Sequence, residues 1–283
     1  MKSISVTLLF FTITICTSAQ TFEGTIHWKL EFQMSGKTKQ ELEKSYEILQ
    51  SSEMKKQLEM MQEQLQANPE LKKQLENNPQ FQALMNMLKN SSQNENSKND
   101  YTSLFPSSII TKLKSDNVLT IMKGGMFPME TLYLKSTDET YIIQHDQKKY
   151  SKIPKEKPAS ANKTKPAYTI KKTNETENIL NYTCKKFIVE YSSEGKSYTQ
   201  HIWTTNDIQG LNNKSLSKIK FSSKQPVFSY DEIEGMPLKI QIYSEEGTMI
   251  MQVIEINTAA LSSAEFKIPD GYKETPISSI YGY

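Results

Sequence analysis

The strongest constraint on this chain is an apolar–polar alternation that appears once, breaks off for a long interval, and then returns almost to the C-terminus. In its first run, Phe22, Gly24, Ile26, Trp28, Leu30 and Phe32 alternate with Glu23, Thr25, His27, Lys29 and Glu31. A period of two is what a strand with one buried face requires. The same pattern predicts strands over 107–113, 118–122, 130–134, 140–144 and 148–153. A second series follows at 168–173, 182–191, 197–204, 238–243 and 248–256. Ser193-Glu194-Gly195-Lys196 and Glu245-Glu246-Gly247 are tight hairpin turns, so consecutive strands run antiparallel. Residues 206–214 read as a short loop or helix. No strand–helix alternation of the parallel-sheet type occurs, and no long-period repeat.

The interval between the first and second strands has a different character. Residues 38–88 are rich in Gln, Glu, Lys, Leu and Met and almost free of β-branched residues. Met54, Leu58, Met61 and Leu65 recur at helical spacing and form one stripe. Asn68-Pro69-Glu70 and Asn78-Pro79-Gln80 each restart a helix, with Asn as cap and Pro in the first turn. Three helices are therefore expected, at 38–66, 69–77 and 79–89. The run from Asn90 to Asp100 is a polar tether, and 155–167 is a Lys/Pro/Ala linker. The expected fold is mainly β (α+β): a curved antiparallel sheet or half-barrel of about ten strands, with a helical insertion at 38–89 after the first strand. Residues 20–283 form a single domain in this reading. Its sheet should bury Phe22, Ile26, Trp28, Ile188, Trp203, Ile240, Ile242 and Ile254.

Residues 1–19 combine Lys2, an apolar run ending at Cys16, and the small residues Thr17-Ser18-Ala19, the pattern of a secretory signal peptide. The run is shorter than the roughly 20 residues of a permanent span. The mature chain is expected to begin at Gln20, outside the cytoplasm, in the periplasm. Secretion, or lipid anchoring through Cys16, is the alternative. The 34 basic residues are all lysine, and formal net charge is +2. Without arginine the chain lacks the usual bidentate reader of phosphate and guanine edges, which argues against nucleic-acid partners. Beyond residue 19 no apolar run is long enough to span a bilayer.

Chemistry-bearing motifs are sparse. His27, His145 and His201 show no metal-ligand spacing. If Ser192 pairs with Ser197, His201 falls opposite Ile188 and Cys184 opposite Thr205. The cysteine is then about 13 Å along the strand, too far for direct activation by His201. Cys184 therefore reads as a small buried apolar residue. No phosphate loop, dinucleotide fingerprint or nucleophile elbow occurs, and the acidic pairs by turns lack calcium-loop spacing. No catalytic residue, cofactor or metal is expected. Asn90, Asn162, Asn174, Asn181 and Asn213 open glycosylation sequons, relevant only in a host that glycosylates them.

The candidate ligand or partner contacts are Met54, Leu58, Met61, Leu65, Phe81 and Met85. Methionine is flexible and polarisable, which suits an adaptable groove. The competing reading is that the same stripe packs the helices onto the sheet.

Several segments carry a resemblance: Phe22-x-Gly24-x-Ile26, Tyr141-Ile142-Ile143, Lys149-Tyr150 and Ile153-Pro154. Thr176 to Phe187, Trp203 and Phe266-x-Ile-Pro269-x-Gly271-Tyr272 complete it. Together they resemble a family of exported domains of unknown function from Bacteroidota-type Gram-negative bacteria. That family is in turn similar to the LolA/LolB-like periplasmic lipoprotein carriers. The resemblance implies a curved half-barrel that takes acyl chains on its concave face, and it brings no catalytic residues. Asn181 departs from the pattern, which has Gly before Tyr-x-Cys, so the turn there is expected to differ. Residues 60–85 also resemble STI1-type co-chaperone segments, which hold apolar peptides. The leading function is an exported, non-enzymatic module that binds a lipid or lipoprotein acyl chain. The alternatives are an interaction or chaperone-like module acting through the insertion and, third, a hydrolase.

Overall fold

The computed structural model describes residues 21–70, 75, 81, 104–125, 128–154, 168–193, 195–208, 210–211, 216 and 233–277. The expected signal peptide, tether and linker lie outside them, as do most of the second and third expected helices. Of those two helices, residues 69, 70, 75 and 81 are described, and all are helical.

Among the described residues, twelve strands form one open, curved sheet. In chain order they are β1 (Gly24–Met34), β2 (Pro106–Lys114), β3 (Asn117–Gly124), β4 (Met129–Leu134), β5 (Glu139–Gln144) and β6 (Lys149–Lys152), then β7 (Tyr168–Ile179), β8 (Tyr182–Ser193), β9 (Lys196–Thr205), β10 (Met236–Ser244), β11 (Gly247–Asn257) and β12 (Lys273–Glu274). Every strand expected from the alternation is present; β12, two residues long, has too little sequence to show a period. The spatial order is β12-β6-β5-β4-β3-β2-β1-β11-β10-β9-β8-β7. Two meanders, β2–β6 and β7–β11, therefore meet at β1. All pairings are antiparallel except β12 with β6.

β1 is pinned to β11 by close approaches at both ends. A Cβ on Gly24 would lie 2.3 Å from the Asn257 carbonyl oxygen, and one on Gly247 would lie 2.2 Å from that of Gln33. Only glycine allows either contact. Between them the register shifts once: His27 pairs with Glu255, but Trp28 pairs with Val253. Ile254 is the extra residue of this β-bulge and is 51% exposed, which corrects its expected burial. A bulge puts two residues opposite one, so strict alternation fails there. Ile26, Trp28, Trp203 and Ile240 are buried as expected, whereas Phe22, Ile188 and Ile242 are half-buried. The hairpin register is as expected, with Ser192 opposite Ser197 and Ile188 opposite His201. The β7–β8 turn places Leu180, not Asn181, at positive φ (54°). Position 181 thus has no need of glycine.

The first expected helix is two. α1 (Gly36–Gln50) and α2 (Ser52–Ala67) break at Ser51, whose hydroxyl accepts from the Met54 amide and caps α2. Serine favours such caps over helix interiors because its side chain competes for backbone groups. α1 starts directly after β1, capped by Ser35.

Candidate functional site

The face of β1 that carries Ile26, Trp28 and Leu30, here the inner face, holds the main core. The register turns it into continuous cross-strand rows. Leu30 lies beside Met251, then Ile240, Ile202 and Phe187, an unbroken apolar row from β1 to β8. The other way, Trp28 lies beside Ile109 and Met122. One row differs: Ile26 is followed by Thr111, Thr120, Thr131, Ile142 and Ser151. Among the described residues, three polar atoms on this face are shielded from solvent and lack a hydrogen-bond partner: Trp28 Nε1, Thr111 Oγ1 and Gln200 Oε1. The Gln200 amide donates to the Tyr191 hydroxyl at 3.1 Å, which occupies only its other end. Buried polar groups are nearly always paired, so such orphans mark a place where structure and function pull apart.

At one end of the inner face lie the described apolar residues of the β9–β10 connection. Ile208, Leu211, Leu216 and Ile233 belong to the core cluster or pack on it, and the Phe22 amide donates to the Gly210 carbonyl at 2.6 Å. The helical insertion leaves from the opposite end, where the Ser35 amide donates to the Glu246 carbonyl at 2.9 Å.

The candidate contacts on the insertion divide. Leu65 is buried; Met54, Met61 and Phe81 are half-buried; the side chain of Leu58 and the whole of Met85 lie outside the described residues. The stripe thus faces protein more than solvent along α2. Among the described side chains, the large apolar residues that α1 and α2 expose are Ile48 and Met60, at 60% and 47%.

The two halves of the outer face are finished differently. Over β3–β5, Leu119, Leu132 and Ile143 form a second cluster with Phe266, joined by Leu261, Ile268 and Tyr272 of the C-terminal segment. This strap is held at several points. Lys114 reaches Glu23 at 2.7 Å and the Leu261 carbonyl at 2.6 Å, and Lys112 pairs with Glu265. Both carboxyls are held below their usual range, chiefly by hydrogen bonds from these lysines. The His145 ring lies 3.0 Å from Glu130 through Nε2 and 2.8 Å from the Tyr272 hydroxyl through Nδ1. The strap ends as β12, where the Thr275 amide donates to the Tyr150 carbonyl at 2.9 Å.

The outer face of β8–β10 has no such cover among the described residues. Trp203, a member of the main core cluster, has two lysine ammonium groups over its ring there: Lys239 Nζ lies 4.8 Å and Lys186 Nζ 5.5 Å from its centre. Glu177 and Glu175 hold the two ammonium groups at 2.7 and 2.8 Å. His201 packs edge-on against Trp203 and Tyr243; burial, with the nearby Lys186, lowers its pKa.

Cys184 is fully buried and burial pushes its thiol up to about 11, the opposite of an activated thiolate. Among the described residues no three His, Cys, Asp or Glu side chains gather into a metal site. No described helix is long and apolar enough to cross a membrane. A recess of about 260 Å³ between the ends of β8 and β9 has a mixed lining, with Phe187 and threonines beside Lys185, Asp207 and Glu234. It is smaller than a typical ligand pocket.

Sequence reasoning missed Thr111 and Gln200. Each sits in a strand pattern as an ordinary polar residue, and only the register shows that it faces the core. No curated protein matches this chain in sequence. Among solved structures, it is similar to an uncharacterized conserved protein from Thermus thermophilus, with 9% identity and a TM-score of 0.35. That likeness covers 60% of this chain and 82% of the other. A family match spans residues 81–272, well over half of the chain. The protein belongs to the DUF4412 family, a domain of unknown function.

Proposed function

We propose that the protein is an exported, non-enzymatic module that binds an apolar ligand, a lipid or the acyl chain of a lipoprotein, on the inner face of its sheet. The observation that carries this reading is the pairing of continuous apolar rows with unpaired buried polar atoms on one face of an open sheet. An apolar surface with a few convergent polar groups is the usual make-up of a small-molecule site. The resemblance to LolA/LolB-like carriers supports it through architecture, and the N-terminal pattern supports export to the periplasm. Native mass spectrometry of protein purified from the periplasm of a Gram-negative host tests it. A co-purifying lipid in a defined ratio is the expected result. Folded protein that carries no lipid, and takes up no fluorescent acyl probe, would overturn the reading.

One observation favours a second reading, a protein-interaction module acting through the insertion: Ile48 and Met60 are large apolar residues left exposed on α1 and α2. In that case Ile48→Ser with Met60→Ser abolishes capture of an apolar peptide and leaves lipid content unchanged.

A further inference from the structure

We propose that Trp28 and Thr111 form a hydrogen-bonding anchor for a neutral oxygen acceptor, the carbonyl of an acyl ester; this rests on the apolar-ligand reading above. In the β1–β2 ladder Ile26 pairs with Thr111 and Trp28 with Ile109. Trp28 and Thr111 are therefore diagonal neighbours on the same face, a spacing of about 7 Å that long side chains bridge. Trp28 is 4% exposed and Thr111 0%, and neither Trp28 Nε1 nor Thr111 Oγ1 has a partner.

The chemistry of the two groups selects the ligand atom. An indole N–H can only donate, and a hydroxyl can donate as well. Two unpaired donors on diagonal neighbours of one face suit a carbonyl oxygen, which has two lone pairs to receive them. The charge of the surroundings narrows the choice further. The register neighbours on this face are Ile26, Ile109, Thr120, Met122, Val253 and Ile256, and none is ionisable. A carboxylate placed there would lose its hydration with no cation to replace it. An ester carbonyl avoids that cost, and its hydrocarbon can follow the row that starts at Leu30 and Met251. Because both donors are shielded in this structure, ligand entry displaces the side chains packed over them.

The test uses the full chain and two probes of equal chain length, a fluorescent monoacylglycerol and the matching free fatty acid at neutral pH. Wild type should bind the ester more tightly than the acid. Thr111→Val replaces an unpaired buried hydroxyl by a methyl group of similar shape. It should therefore raise the melting temperature of the free protein and weaken ester binding about 3- to 10-fold, the worth of one hydrogen bond. Trp28→Phe should weaken ester binding to a similar extent, and neither variant should change binding of the acid. A structural role alone cannot move stability and affinity in opposite directions. If Thr111→Val leaves ester binding unchanged while wild type binds both probes, the anchor is wrong and the apolar-ligand reading stands. A lower melting temperature for Thr111→Val would show that the hydroxyl has a protein partner, which also overturns the anchor. Wild type that binds neither probe removes both proposals together.

Discussion

The two halves of this sheet share strand type, antiparallel pairing and an apolar inner face, yet they solve the problem of the outer face in opposite ways. On β3–β5 the outward residues include Leu119, Leu132 and Ile143, and a separate stretch of chain is brought across to cover them. On β8–β10 the outward row reads Lys186, Trp203, Lys239, with Ile188, His201 and Gln241 beside it. There the strands cover themselves: lysine side chains reach across with their ammonium groups over the indole ring and in contact with glutamates. A sheet face needs a second layer only where its outward residues are aliphatic. Where they are long and charged, the side chains serve as the layer.

This contrast fixes an order of expected effects. The largest belongs to the strap: Phe266→Ala should cost about 3–5 kcal/mol, because it empties the centre of the second cluster. Urea melts measure it. Trp203→Ala should cost less, about 2–3 kcal/mol, since flexible lysine stems can fall into the space that a rigid core would leave empty. Equal losses for the two variants would break the comparison and make both outer faces ordinary core.

A charge-only change sharpens it. Lys239→Met keeps the stem over Trp203 but removes the ammonium group and leaves Glu177 unpaired, for a loss of about 1 kcal/mol. A loss as large as that of Trp203→Ala would mean that charge, not stem packing, holds the ring.

Acid should act on the strap. Glu265 and Glu23 titrate below the ordinary carboxylate range when folded. Such groups contribute stability that is present above their unfolded value and lost as pH falls through the folded one. Amide protection in 262–275 should therefore drop below about pH 4.5, towards the folded values of these carboxyls. Glu265→Gln should flatten part of that dependence. Protection that stays constant down to about pH 2 would detach the strap from these lysine pairs. The smallest effect is at the bulge: Ile254→Thr should change stability by no more than about 0.5 kcal/mol, as the residue faces solvent.

Much of this architecture could be read from the residues, and the failures are instructive. The alternation located every long strand because each has one buried face, so the physical cause and the sequence signal share a period. The signal failed at Ile254, where a bulge adds a residue that no single-strand pattern can register. It missed β12, which owes its place to pairing with β6 and packing of the strap rather than to its own two residues. The helix stripe was legible, but the break at Ser51 was not, since a serine inside a helical run becomes a cap only when the chain turns there. The candidate site was the least legible part. Thr111 is one of several polar residues in Pro106–Lys114, and its isolation depends on neighbouring strands lying beside it in one register.

The position of β1 has a consequence for how the chain assembles. Each meander can zip up strand by strand, mostly from short-range hairpins with one longer connection between β9 and β10, because its neighbours in space are neighbours in sequence. β1 cannot: one side waits for β2, beyond the helical insertion, and the other for β11, which begins at Gly247. Closing so long a loop is slow, because chain entropy must be lost before any contact forms. The first strand made is thus the last to be completed. Until Gly247–Asn257 arrives, the β1 edge that will meet it stays open to any other strand. Folding should show two early phases, one per meander, and a late phase reported by Trp28, and that late phase is where aggregation would begin.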